Sequence, residues 1–209
     1  MTSNQQDSGK SKKEQTHQRI LSTAARMIRK DGFEALAVAD LMKQAGLTHG
    51  GFYAHFANRD ALLAEALDYA RQESADLLAA TVQQSTAQMS ALQQFLDVYL
   101  SEQHLAASPQ GLGCPVAALS SEFHRLDDSG QAVATQTVTN LIQRLLRAGE
   151  GRLNPDQAFV LASTMVGALQ LARALPAAEA PALLARTRQQ LCKMFLSDTE
   201  PATPAQVLN

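Results

Sequence analysis

The 209-residue chain has no tryptophan, two cysteines and no apolar run near the ~20 residues that a bilayer-spanning helix needs. Membrane insertion is therefore not expected. Cys114 and Cys192 are too few for a disulfide framework. The five histidines are scattered and no Cys-x-x-Cys or His-x-x-x-His spacing occurs, so no metal site and no cofactor are expected. Gly-rich phosphate loops, a Gly-x-Ser-x-Gly elbow and a compact acid/base constellation are also missing, which argues against an enzyme. No segment alternates β-branched and polar residues in the manner of a strand. The amino terminus is rich in Ser, Gln and Lys and lacks an apolar signal core, so the expected location is the cytoplasm.

What the chain does contain is alanine and leucine at helical spacing, and the expected fold is all-α. Its length suits a small unit plus one larger domain. The net charge of −2 is unevenly spread. Residues 1–60 carry nine Lys/Arg and six Asp/Glu, whereas residues 61–209 carry nine and fourteen. A basic first portion on an acidic remainder is the layout expected when one end meets DNA; solvated helix faces give the same count without function.

Residues 41–56 are the most informative stretch. Val38, Leu41, Met42 and Ala45 form one apolar stripe, and Leu47, Phe52 and Phe56 form another after Gly46. The pattern predicts a short helix, a glycine turn and a second short helix. Gly46 is expected to enter the left-handed region, and the Thr48 hydroxyl to cap the second helix. Thr48, His49, Gly50, Tyr53 and His55 then form a face of short hydrogen-bonding groups without carboxylates. Gly50 and Gly51 each cost roughly 0.5–1 kcal/mol in a helix interior. Close approach to a nucleic acid is one offset, and a relaxed turn or close helix packing is another.

The run Ala45-Gly46-Leu47-Thr48-His49-Gly50-Gly51-Phe52-Tyr53-Ala54-His55-Phe56, continued through Arg59 and Leu62-Leu63, resembles the amino-terminal DNA-binding domain of TetR-type bacterial repressors. The likeness extends upstream through Ile20, Ala24, Ala25, Gly32 and Phe33, over about residues 16–65. It implies an all-α, TetR-like fold: a three-helix DNA-binding domain with a helix-turn-helix, and a larger helical domain for ligand binding and dimerisation. By family position, Thr48, His49, Gly50 and Gly51 are groove contacts. Tyr53, His55 and Arg59 are placed for phosphates, with Lys43 contributing charge. Phe52 and Phe56 hold the unit together. Two departures stand out: Ala37 replaces the usual Ser or Thr cap, and His49 stands where Lys is common.

The expected organisation is a flexible basic arm over 1–14, a DNA-binding domain over 15–60, an effector-binding and dimerisation domain over 61–197, and a flexible tail over 198–209. The arm is read either as a DNA-touching segment or as a solubilising tail. About nine helices are expected: near 16–31, the two of the motif, one capped by Asn58 that links the domains, 88–105, one opened by Cys114-Pro115, 129–149, 155–174 and 179–196. The last two carry Phe159, Met165, Leu169, Leu171, Leu191 and Met194, which serve equally as an internal core or, by resemblance, as a four-helix interface between two subunits. A homodimer places two reading helices ~34–36 Å apart on a palindromic double-stranded operator.

Apolar spacing nominates Phe95, Tyr99, Leu119, Phe123, Met165 and Leu169 as lining an effector pocket, together with Cys114. His104 and His124 are read as pocket, surface or hydrogen-bonded core residues. The Gly113-Cys114-Pro115 segment resembles one in some TetR-type regulators that sense electrophiles; a buried Cys acting as a small apolar residue is the alternative. The expected function is a sequence-specific repressor released from its operator by a small molecule. The alternatives are an electrophile-responsive repressor using Cys114 and a helical protein-binding adaptor.

Overall fold

A computed structural model of the chain describes residues 11–83 and 89–196. Residues 1–10 of the expected arm, and the expected tail over 198–209, lie outside the described residues. The described chain is helical throughout, without a strand.

Helix α1 (Lys12–Asp31) starts earlier than apolar spacing suggests because Ser11 and Glu14 form a reciprocal capping box. It stops at Gly32, whose φ of 86° ends the ladder. Helix α2 (Val38–Gln44) comes next. Its C-terminus is closed by a pair of bonds, Leu47 N–H to the Met42 carbonyl at 2.8 Å and Gly46 N–H to the Lys43 carbonyl at 3.0 Å. This Schellman turn needs the left-handed φ of 68° that Gly46 adopts. The second element of the motif, His49–Ala54, is a two-turn 3-10 helix rather than an α-helix. Adjacent glycines and a length of six residues leave too little α-preference to sustain the wider ladder.

Helix α3 (Arg59–Gln83) begins where the Asn58 side chain accepts from Ala61 N–H at 2.8 Å. The segment expected as one helix over 88–105 is two: α4 (Ala91–Tyr99) and α5 (Glu102–Ala107). Ser101 makes the break, capping α5 by accepting from His104 N–H. Helix α6 (Pro115–Leu119) opens with Pro115 at its first position, as expected. A 3-10 turn, Ser120–Arg125, leads to α7 (Asp128–Ala148), and α8 (Pro155–Ala174) and α9 (Ala180–Leu196) complete the order.

Two cores organise these elements. The first gathers Ile20, Ile28, Phe33, Leu41, Met42, Phe52 and Phe56 around Leu62, Ala66 and Leu67 of α3. The second is built on α4, α7, α8 and α9 by residues such as Leu96, Leu145, Met165 and Leu184. Leu119, Leu126 and Ala134, from the later part of the chain, belong to the first core. The expected division at residue 60 thus falls inside α3, and the 119–134 segment is wedged against the helix-turn-helix unit.

Candidate nucleic-acid interface and inner cavity

Phe52 is 1% exposed and stacks on Phe56 at 5.5 Å, while Tyr53 meets Phe52 edge-on at 5.2 Å and is 70% exposed. The two phenylalanines anchor the short helix, and the adjacent register position sends Tyr53 outward. Lys43, Thr48, His49 and Gly50 are exposed beside it, and Gly51 is half-buried. A Cβ added at Gly50 meets nothing within 4 Å, so internal packing does not require that glycine. At Gly51 the nearest atom to an added Cβ is Met42 Cε at 3.6 Å, an ordinary contact.

One expectation at this surface is corrected, and one residue has a further role. Thr48 precedes the 3-10 helix but its hydroxyl makes no capping bond, so its side chain is left on the outer face. Arg59 does not simply project outward: its Nε donates to the Leu36 carbonyl at 3.2 Å and Nη2 to the Phe33 carbonyl at 2.5 Å. It ties the start of α3 to the loop before α2. His55 is half-buried beside His17, their rings 5.7 Å apart. Burial first, then the charges of His17 and Lys13, hold its pKa below the ordinary histidine value. His17 itself contacts Glu65 at 2.9 Å. Ala37 opens α2 with no side-chain bond, as its lack of a hydroxyl dictates.

A cavity with about 190 Å³ of free volume lies between α3, α4, α5 and α7, closed by the segment from Leu112 to Val116. Of the residues nominated from spacing, Tyr99 and Cys114 line it. Phe95 is buried behind Tyr99, its ring stacked at 6.1 Å, and Met165 and Leu169 are fully buried in the second core. Leu119 and Phe123 sit in and against the first core, where Phe123 packs on Phe33 at 6.4 Å. Periodicity shows that a residue faces inward; it does not say toward which of two cores.

The cavity residues missed by spacing include apolar ones, such as Leu77, Leu78, Val98 and Leu141, and a polar set: Arg71 and Ser74 on α3, and Thr137, Asn140 and Arg144 on α7. The available signal is Arg144 following Thr137 and Leu141 on one face of α7, where both companions are buried. His104 also lines the cavity. Its Nε2 accepts from Cys114 N–H at 3.1 Å, and Nδ1 lies 2.7 Å from the Tyr99 carbonyl. Burial lowers its pKa. The Tyr99 hydroxyl is buried beside the Cys114 thiol and makes no well-formed hydrogen bond. Burial and the neighbouring Cys114 push the phenol well above its ordinary pKa. His124 is exposed.

The cavity and the reading surface share structural elements. Arg71, Ser74, Leu77 and Leu78 bring the later half of α3 to the cavity, while Leu62 to Leu67 bring its first half into the first core. Glu122 accepts from Phe33 N–H at 3.1 Å beyond the end of α1. Gly111 lies so close to α1 that an added Cβ would stand 2.3 Å from the Arg26 carbonyl oxygen. Among the described residues no group of three or more His, Cys, Asp or Glu is arranged to hold a metal, and no helix is long and apolar enough to cross a membrane.

Comparison with known proteins agrees with this architecture. The family described as bacterial regulatory proteins, tetR family, matches residues 20–66. An uncharacterized HTH-type transcriptional regulator of Mycobacterium tuberculosis, Rv0196, is 31% identical over 75% of this chain and 83% of its own length. Among solved structures, reduced Escherichia coli NemR has a TM-score of 0.72 at 22% identity, covering 90% of this chain and 100% of that one. A TetR transcriptional regulator from Chloroflexus aurantiacus gives 0.72 at 23% identity, covering 88% and 96%. The chain belongs to the TetR family of bacterial DNA-binding transcriptional regulators and is not an enzyme.

Proposed function

We propose that the protein is a homodimeric repressor that reads a palindromic operator and leaves it when a small molecule fills the inner cavity. The observation that carries this reading is the polar, carboxylate-free face of Thr48, His49, Gly50 and Tyr53, held rigidly outward by Phe52 and the Gly46 turn. Thr48, His49, Gly50 and Gly51 are assigned to the groove side. Lys43, Tyr53 and His55 are assigned to the phosphates, and Arg59 is assigned to positioning the unit through the Phe33 and Leu36 carbonyls.

Dimerisation is supported by the outer face of α8. Phe159 and Leu171 are 58% and 62% exposed, with Ser163 and Gly167 between them at four-residue steps. A Cβ added at Gly167 meets nothing within 4 Å, which leaves room for a second helix. Met194 on α9, 64% exposed, adds to the apolar surface.

Release is explained by shared parts. A ligand that spreads α3 from α7, or shifts the 112–116 segment, acts on α3, on Gly111 against α1 and on Glu122 against Phe33, all of them within or against the first core. The ligand must favour the altered shape by its contacts there.

Binding to a selected duplex and to its scrambled counterpart, followed across salt, tests the reading. Tyr53→Ala should weaken both, whereas Thr48→Ala and His49→Ala should also change base preference. Unchanged affinity and preference in all three variants would defeat the assignment.

A second reading makes Cys114 an electrophile sensor, since it lines the cavity near the charge of Arg173. Helix α6 has only five residues, so its dipole adds little, and His104 Nε2 is already bonded to the Cys114 amide. Release by N-ethylmaleimide in the native protein but not in Cys114→Ser supports this reading; equal release rejects it.

A further inference from the structure

The cavity is lopsided in charge. Arg71 and Arg144 line it, and no Asp or Glu does. Arg71 has a partner, with its Nε 2.9 Å from Asp68 Oδ1 and its Nη2 2.5 Å from the same oxygen. Arg144 forms no salt bridge among the described residues. It is half-buried, and burial, followed by repulsion from Arg147 and Arg71 and opposed by Cys114 and Asp76, draws its pKa below the ordinary arginine value. Asp76 acts on this guanidinium only through space and forms no salt bridge with it, so the half-buried charge lacks a direct partner.

The rest of the lining is equally specific. Arg71 and Ser74 stand one turn apart on α3, and Asn140 and Arg144 one turn apart on α7, which packs against α3. Leu77, Leu78, Val98 and Leu141 supply an apolar wall. Tyr99 contributes a second unmet demand, because its buried hydroxyl has only the weakly accepting Cys114 thiol beside it and no well-formed hydrogen bond. Burying a hydroxyl unpaired is unfavourable, and a ligand acceptor removes that penalty.

We propose that the cavity binds an amphipathic organic anion: a carboxylate held by Arg144 and Arg71, an apolar body against α3, α4 and α7, and a hydrogen-bond acceptor for the Tyr99 hydroxyl. The planar guanidinium fork matches a carboxylate in two parallel bonds. An amine finds no carboxylate among the lining residues, and a neutral amide leaves Arg144 unpaired. This assignment rests on the reading of the cavity as the effector site and specifies the chemistry of that effector.

The test uses the full chain with three matched probe series: straight-chain and aryl carboxylates such as octanoate and 4-hydroxybenzoate, their primary amides, and the corresponding amines. Calorimetry measures binding, and a fluorescent operator duplex reports release. The expected result is carboxylate binding at least tenfold tighter than amide or amine, lost at least tenfold in Arg144→Gln and partly restored in Arg144→Lys. Operator affinity without ligand should be unchanged in both variants, which establishes that they fold. Amides or amines that bind as tightly as the acids, or acids indifferent to Arg144→Gln, overturn the anion assignment while leaving the effector site in place. If no series binds or releases the operator, both the assignment and the effector reading of the cavity fail.

Discussion

At Ala37 the chain opens a helix without a side-chain cap, although its backbone is extended at φ −89° and ψ 129°, the conformation a capping residue adopts. Ala37→Ser should therefore add a bond to the first turn of α2 and stabilise the protein by about 1 kcal/mol. The melting temperature should rise by about 2–4 °C for a chain of this size. Residues whose roles depend on their immediate neighbours are legible in the sequence: Gly46 in its left-handed turn, Asn58 as a cap, Pro115 at a first helical position, Phe52 as an anchor. Arg59 is not legible in this way, because its partners, the Phe33 and Leu36 carbonyls, lie 26 and 23 residues away along the chain. Leu119 and Phe123 escape a sequence reading for a related reason. Their apolar character announces burial, but the choice between two cores is made by tertiary packing.

At the scale of elements, α1 and α3 are joined by a pair that sequence spacing does not reveal. Arg29 is 6% exposed; it donates through Nε to the Ala25 carbonyl at 3.0 Å and through Nη2 to Glu73. Glu73→Ala would leave that guanidinium buried without its counter-charge, and a loss of about 3–5 kcal/mol is expected in a denaturant titration. A loss below about 1 kcal/mol would mean that solvent reaches the arginine. The break between α4 and α5 and the early start of α1 both come from serine caps, at Ser101 and Ser11. The second is readable as Ser-x-x-Glu, but apolar periodicity alone makes the first helix too short. Helix α5 also sets a pH response through His104. Its folded pKa lies below the ordinary value of 6.5 because of burial, opposed by the Tyr99 backbone bond and reinforced by Arg173. The unfolded state therefore takes up the proton first as pH falls. The stabilisation is complete above about 6.5 and declines as pH falls below it toward the lowered folded value. Protonation also removes the acceptor for Cys114 N–H. Melting temperature should fall more steeply between about pH 7.5 and 5 in the native protein than in His104→Gln; parallel profiles would contradict this.

For the whole molecule, the two cores meet along α3 and the 119–134 segment, so the inner cavity and the helix-turn-helix surface share structural elements. The all-α plan is legible from helical periodicity and the family from the helix-turn-helix run. The charged character of the cavity is not, because apolar stripes pass over Arg71 and Arg144. The proposed dimer places a carboxylate of Leu171→Glu in an apolar helix interface, and this variant should run as a monomer by light scattering at concentrations where the native chain is a dimer. Dimers in both would move the interface off α8. In the proposed function the exposed face of residues 48–53 selects DNA sequence. The most direct measurement is selection of bound duplexes from a random pool by the purified full chain, with sequencing of what is retained. The expected result is enrichment of a palindrome whose half-sites are about 10 base pairs apart or a multiple of that spacing, with the half-site sequence altered in Thr48→Ala and His49→Ala. A bound pool indistinguishable from the starting pool would contradict it.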